Sequence, residues 1–221
     1  MTEKLFICEK PSQAQDIAKV IGIVGRGDGY LDVAGGSKVS WAVGHLLEAA
    51  EPHDYFPHWK QWKIDDLPLI PPDWRLKVAD DRKKQFNVLK KLIATAKEIV
   101  VATDTGREGE LIAREVIYYC GFKGKISRLW FKSLSAPDVK KALSSLRTDA
   151  DTKPLYYAAL MRQQGDWIAG NSGTRLATTL FNERNQVFSY GRVQSPTLAI
   201  VVERDRIIKN FVKEEFFKLK A

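Results

Sequence analysis

Apolar and polar residues change register several times along this chain, and each change marks an element. Leu5, Phe6, Ile7 and Cys8 form a short continuous apolar run, the pattern of a buried strand. Pro11 follows, a residue suited to a first helical turn, and Ala14, Ile17, Ala18 and Ile21 then recur at helical spacing. Tyr30 to Val33 and Lys38 to Val43 alternate with period two across Gly35-Gly36, which predicts a hairpin. Phe86, Leu89, Leu92 and Ile93 predict a helix over 80–97, with Arg82, Lys83, Lys84, Lys90 and Lys91 on its wet face. Ile99, Val100, Val101 and Ala102 read as a second buried strand, and Leu111, Ile112, Val116 and Tyr119 as the helix after it. Residues 125–131 form another strand, and Ser135 caps a helix through Val139, Leu143 and Leu146. Strands alternating with helices predict an α/β fold, a mostly parallel sheet flanked by helices.

Beyond residue 149 the strand signal stops. Residues 154–180 read as one long helix, with Gly170 or Gly173 as the place for a bend. Pro196 opens a further helix over 197–208, with Leu198, Ile200, Val201 and Ile207 as its apolar positions. Phe216 to Leu219 alternates as the start of a strand. Inside the first pattern, residues 51–76 are proline-rich and irregular. They set Tyr55, Phe56, Trp59, Trp62 and Trp74 among His53, His58, Lys60 and Lys63. Such a loop suits stacking on unpaired bases, or the packing of its own rings. Trp62, flanked by lysines, is the best placed for an exposed contact.

Composition changes this picture little, and charge somewhat more. The chain has 221 residues, 44% hydrophobic, enough for a core. Its net charge of +8 favours a polyanionic partner. No apolar run approaches the roughly twenty residues of a spanning helix, and the first residues, MTEKLFICEK, do not read as a secretion signal. Cys8 and Cys120 lie in apolar stretches without metal spacing, as thiols in a reducing cytoplasm would.

The candidate chemistry lies where strands run into helices. Glu9 and Lys10 follow the first strand; Asp104, Arg107, Glu108 and Glu110 follow the one at 99–102, around Gly106 and Gly109. Open α/β sheets bind ligands at the carboxyl ends of their strands. Glu9, Asp104 and Glu108 suit a divalent cation, and Lys10 and Arg107 a phosphate, since magnesium takes one or two carboxylates and fills its shell with water and substrate phosphate. A solvated turn accounts for Glu9-Lys10 equally well. His45, at the end of the hairpin, fits a simple hydrogen-bonded histidine better than a proton-transfer group. In the long helix, Arg162 and Asp166 share a face, with Trp167 beside it and Asn171, Thr174 and Arg175 further on. This stripe suits either a phosphate backbone or structural ion pairing.

Five stretches together carry a resemblance: FICEKPS at 6–12, GHL at 44–46, ATDTGREGE at 102–110, Asp166-Trp167, and GRVQSPT at 191–197. In this order they resemble the amino-terminal part of a type IA DNA topoisomerase, most of all the bacterial topoisomerase III group, over essentially the whole chain. The resemblance implies a toprim domain over 1–135. A partial single-strand DNA-binding domain would cover 136–221, mainly helical and ending at the start of a strand-rich domain. It implies a monomer in the bacterial cytoplasm, associated with nucleoid or plasmid, acting on single-stranded and negatively supercoiled DNA with Mg2+. Glu9 would serve in proton transfer and metal binding, Asp104 and Glu108 in the metal site, and Lys10, with Arg107, at the scissile phosphate. Trp62, Arg162, Asp166, Trp167, Arg175, Ser189, Tyr190, Gly191, Arg192, Val193 and Gln194 would grip the single strand.

Two departures from the family pattern stand out. Gly106 occupies the place of a second aspartate, so the site has one carboxylate fewer, and Glu110 would have to reach around the turn to compensate. The family's nucleophile is a tyrosine, and none of the seven tyrosines here stands in its motif. The chain alone is therefore expected not to cut DNA. A stand-alone toprim nuclease or primase-like protein, and a non-catalytic single-strand binding module, are the alternatives.

Overall fold

The computed structural model describes residues 2–181 and 186–220. In chain order the elements are β1 (Thr2–Cys8), α1 (Pro11–Ile21), β2 (Ile23–Gly27), β3 (Tyr30–Val33), β4 (Ser37–Trp41), β5 (Leu47–Ala49) and the single-turn α2 (Pro52–Tyr55). Next come β6 (Leu76–Val78), α3 (Lys83–Thr95), β7 (Ala96–Val101), α4 (Arg107–Tyr119), β8 (Lys125–Arg128) and α5 (Ala136–Ser144). The two-residue β9 (Arg147–Thr148) leads into α6 (Asp149–Phe181), and α7 spans Gln194–Lys209. Two compact units are formed: Met1–Glu51 with Pro72–Gln164, and Pro52–Pro71 with Gly165–Ala221.

The first unit is built on a seven-stranded sheet ordered β2-β3-β4-β1-β7-β8-β9. Its centre, β4, β1, β7 and β8, is parallel, with Leu5 opposite Ile99 and Val101 opposite Arg128. Its flanks are antiparallel. The β3–β4 hairpin turns at Gly35 and Gly36, both at positive φ, as the dipeptide signalled. Side chains alternate faces along each central strand. Leu5, Ile7, Ile99 and Val101 join Leu89, Ile93, Ile112 and Val116 of α3 and α4 in one core. Phe6, Cys8, Val100 and Ala102 join Ala14, Ile17, Val139 and Ala142 of α1 and α5 in the other. Continuous apolar runs in β1 and β7 follow from burial on both faces.

The strand order fixes where a ligand can sit. From β1 the chain leaves through α1 toward β4's side of the sheet; from β7 it leaves through α4 toward β8. Neighbouring strands whose connections depart in opposite directions open a crevice at their carboxyl ends. The residues just beyond β1 and β7 line it.

In the second unit, Tyr55 and Trp59 are buried, and Tyr55 meets the Trp167 ring edge-on at 5.8 Å. The Leu69 amide donates to Ser172 Oγ at 3.0 Å. The proline-rich segment thus buries two of its five aromatics, Tyr55 and Trp59, and leaves Phe56, Trp62 and Trp74 exposed.

Several boundaries differ from expectation. The long helix begins at Asp149, so Pro154 lies inside it. It continues without a break in helical assignment past Gly170 and Gly173 to Phe181. Gly173 serves another purpose: a Cβ there would stand 2.4 Å from Cδ1 of Tyr190, so only glycine lets that ring lie against the helix. The strand expected over 216–219 does not form; residues 211–220 are exposed and irregular. Alternation alone makes no strand when no partner supplies backbone hydrogen bonds. The helix expected over 197–208 is present as α7, but Leu198, Ile200, Val201 and Ile207 are exposed. The short edge strands β2, β5, β6 and β9 carried too little periodicity to be read.

Candidate nucleic-acid and metal site

The first junction of the crevice is short. β1 ends at Cys8, Glu9 and Lys10 follow, and Pro11 opens α1. Lys10 is the N-cap residue but makes no side-chain cap. Gln13 instead ties the chain just before the cap, its Oε1 accepting the Glu9 amide at 2.8 Å. The capping-box glutamine reaches back to the N-cap amide, and Gln13 reaches one residue further. The other end of the same side chain crosses to the second junction, where Gln13 Nε2 donates to Asp104 Oδ1 at 2.7 Å. Lys10 Nζ lies 3.8 Å from Asp104 Oδ2.

The second junction is longer and is held from behind. Arg128, fully buried on β8, donates from Nη1 to the carbonyls of Val101 (3.1 Å) and Thr103 (2.8 Å) and from Nη2 to that of Asp104 (2.7 Å). Its Nε lies 2.6 Å from Glu110 Oε1. Glu110, equally buried, accepts from Arg114 Nε at 2.7 Å, and Arg114 also meets Asp149 and Thr152. Burial pushes the Arg128 guanidinium below its ordinary range, with the Glu110 charge opposing. For Arg114 the bonds to Asp149, Glu110 and Tyr118 win over desolvation, and its affinity for the proton rises. In front, Gly109 lets α4 approach the turn: a Cβ there would stand 2.1 Å from the Asp104 carbonyl oxygen. Thr103 Oγ1 donates to the Gly109 carbonyl at 2.8 Å.

This frame settles where Glu110 points. It is locked between two arginines on the buried side and does not replace the carboxylate absent at Gly106. Asp104, Arg107 and Glu108 are the exposed groups of the turn, at the positive amino-terminal end of α4.

His45 enters from the β4–β5 connection. The backbone before it is strained, with Val43 at φ 60°, and the Gly44 amide donates to the Glu9 carbonyl at 3.2 Å. His45 Nδ1 sits 3.2 Å from Glu115 Oε2, and Nε2 sits 4.0 Å from Glu108 Oε2. Glu115 is buried, and its other oxygen accepts from Gln163 Nε2 at 2.9 Å. The bond to Glu115 raises the His45 pKa above its usual value; burial opposes, and the charges of Glu115, Glu108 and Glu9 add to the rise. Arg162 Nη1 lies 3.9 Å from Glu108 Oε1.

Among the described residues no three Asp, Glu, His or Cys side chains converge as a ready-made metal cage. One oxygen of Asp104 is taken by an amide, and an ammonium faces the other. Hard carboxylate oxygens in this number fit a cation that draws its remaining ligands from water and phosphate.

The second unit carries the other candidates. Arg192 Nε donates to Asp166 Oδ1 at 2.6 Å, a bond that raises the arginine's pKa. Arg175 is buried, donates to the Trp59 carbonyl at 2.7 Å, and holds its guanidinium 5.5 Å from the Trp62 ring centre. Trp62 itself is 40% exposed, and Tyr190 45%. Thr174 Oγ1 accepts the Tyr190 amide at 2.9 Å, and Ser195 Oγ accepts the Gly191 amide at 3.1 Å. Ser189, Arg192, Val193 and Gln194 line the exposed remainder of this stretch.

Residues 4–134 match the family model described as the Toprim domain. The chain belongs to the Toprim family. Residues 150–221 match the model described as DNA topoisomerase. DNA topoisomerase 3 of Bacillus licheniformis is 39% identical over 225 residues, spanning 100% of this chain and 30% of that protein. The Shouchella clausii protein of the same name is 39% identical over 218 residues, spanning 98% of this chain and 29% of its own length. The chain is homologous to the amino-terminal region of these type IA topoisomerases. In fold it resembles full-length topoisomerase I from Thermotoga maritima, with a TM-score of 0.64 at 24% identity, covering 94% of this chain and 31% of that one.

On the Toprim edge the structure gathers Lys10, Asp104, Glu108 and His45, with the Glu9 backbone tied in through Gln13 and Gly44. Arg162 joins them through Glu108, while Asp166 pairs with Arg192 in the second unit. Sequence reading missed Gln13, Glu115, Arg114 and Arg128. Gln13 had a signal, a glutamine at the third position of a proline-opened helix. Arg128 had none, because an arginine inside a strand pattern looks like an outward-facing residue.

Proposed function

We propose that this chain is the metal-binding and DNA-gripping portion of a type IA topoisomerase of the topoisomerase III kind. The observation carrying the proposal is the crevice between β1 and β7, where Gln13 and Lys10 of one junction meet Asp104 of the other. Two helix amino-termini and Lys10 and Arg107 favour a phosphate there. Glu9, Asp104 and Glu108 would hold Mg2+ beside it. When bound, the cation would offset negative charge on the phosphate. Lys10 and Arg107 would orient the phosphate oxygens, and in the whole protein Glu9 would take part in proton transfer. The domain division we propose is 1–135 for the Toprim part and 136–221 for the start of the DNA-binding part.

Trp62, Tyr190 and Arg192 would be the exposed contacts for the single strand, and Arg162, Asp166, Trp167, Arg175, Ser189, Gly191, Val193 and Gln194 would be its further contacts. Arg175 acts on Trp62 from below its ring. The whole protein would act as a cytoplasmic monomer on single-stranded and negatively supercoiled DNA, cutting, passing and resealing strands. This chain alone would bind DNA without cutting it, since none of its tyrosines stands in the nucleophile's motif. A salt titration with single- and double-stranded oligonucleotides tests the binding. Preference for the single strand, weakened by Arg192→Ala, is expected. Supercoil relaxation by the 221-residue chain, or unchanged affinity in Arg192→Ala, would overturn the reading.

A further inference from the structure

We propose that Gln13 is the positioning residue of the acidic edge, fixing which oxygen of Asp104 faces a cation. This rests on the metal reading above and deepens it.

Gln13 is fully buried, and both ends of its amide are committed. Its Oε1 accepts from a backbone amide, Glu9 N–H at 2.8 Å, and a backbone N–H can only donate. That fixes the orientation of the amide, so the group facing Asp104 is the NH2, 2.7 Å from Oδ1. Asp104 is otherwise an exposed side chain on a turn, with Oδ2 facing the Lys10 ammonium at 3.8 Å. The neutral clamp on Oδ1 leaves Oδ2 as the oxygen presented to the crevice. Partners of this kind orient metal-binding side chains, and their loss commonly weakens affinity about 10–100-fold.

Gly106 makes the clamp matter more. Where a second carboxylate is absent, the direction of the remaining one decides how much of the cation's shell the protein supplies. Gln13 also joins the two junctions directly, so the metal-facing side of one is registered on the backbone of the other.

A helix cap alone would account for the bond to Glu9 and for nothing at Asp104. Two substitutions separate the roles. Gln13→Met removes both bonds. Gln13→Glu keeps an acceptor for the Glu9 amide but sets a carboxylate against Asp104 Oδ1, a pair that a cation relieves. Calorimetric titration of the 221-residue chain with magnesium chloride, and with manganese chloride, reads the affinity. Thermal melting checks that each variant is folded.

The positioning role expects opposite signs: Gln13→Met weakens the cation about tenfold, and Gln13→Glu tightens it about tenfold. Both variants falling together, or both remaining at the wild-type affinity, overturns the proposal. Asp104→Asn is run alongside. If it binds magnesium as the wild type does, the metal reading itself fails. If it binds weakly while the Gln13 variants do not diverge, only the role of Gln13 fails. Should Gln13→Glu melt at room temperature, its recovery on adding magnesium, absent in Gln13→Glu combined with Asp104→Asn, supports the proposal and its absence overturns it.

Discussion

The junctions β1–α1 and β7–α4 lie side by side and present charged residues to one crevice, yet they are held by different means. The first is two residues long. Pro11 sets its backbone, and one buried side chain, Gln13, ties its Glu9 amide. The second is longer and takes its shape from behind, where Arg128 gathers three carbonyls of the strand end and turn and rests against Glu110. A short junction can be specified locally. A longer one that must expose Asp104, Arg107 and Glu108 needs support from across the sheet, and a buried arginine with several donors provides it. The buried charges of the second junction shape it, while Lys10, Asp104, Arg107 and Glu108 stay on the exposed side, where a ligand can reach them.

The sharpest way to break this comparison is Arg128→Ala. It leaves the buried Glu110 carboxylate with Arg114 alone and frees the Asp104 turn, and should cost about 3–5 kcal/mol by denaturant unfolding. Lys10→Ala at the first junction should change stability by less than about 0.5 kcal/mol. Equal costs at the two positions would erase the distinction.

Gly109→Ala comes next. The Cβ must displace the Asp104 carbonyl, so a loss of about 1–3 kcal/mol is expected, with broadened amide signals for residues 103–106. At the first junction, Pro11→Ala should cost about 0.4–1 kcal/mol, chiefly through the unfolded chain.

The smallest effect concerns His45. Its folded pKa is raised, so its pairing with Glu115 contributes stability fully below about pH 6.5, the ordinary histidine value. That contribution is lost as pH rises through the folded value. The melting difference between wild type and His45→Gln should therefore be larger at acid pH and shrink toward pH 8. A difference that grows with pH would reverse the assignment.

The exposed groups of both junctions were legible because strand, charge cluster and helix follow one another in sequence. The parallel sheet was legible because double-sided burial leaves unbroken apolar runs in β1 and β7. What lay hidden depends on distant partners. Arg128 and Glu110 are polar residues whose burial follows from each other. Glu115 falls on the α4 face where His45 and Gln163 meet it. The misread strand at 216–219 shows the converse: Phe217, Lys218 and Leu219 alternate, but no pairing edge meets them among the described residues.

The most direct measurement is single-stranded oligonucleotide affinity with and without magnesium, in wild type and in Asp104→Ala. Magnesium should tighten binding in the wild type and lose most of that effect in Asp104→Ala. An identical magnesium response in both proteins would contradict the crevice between β1 and β7 as the place where cation and phosphate meet.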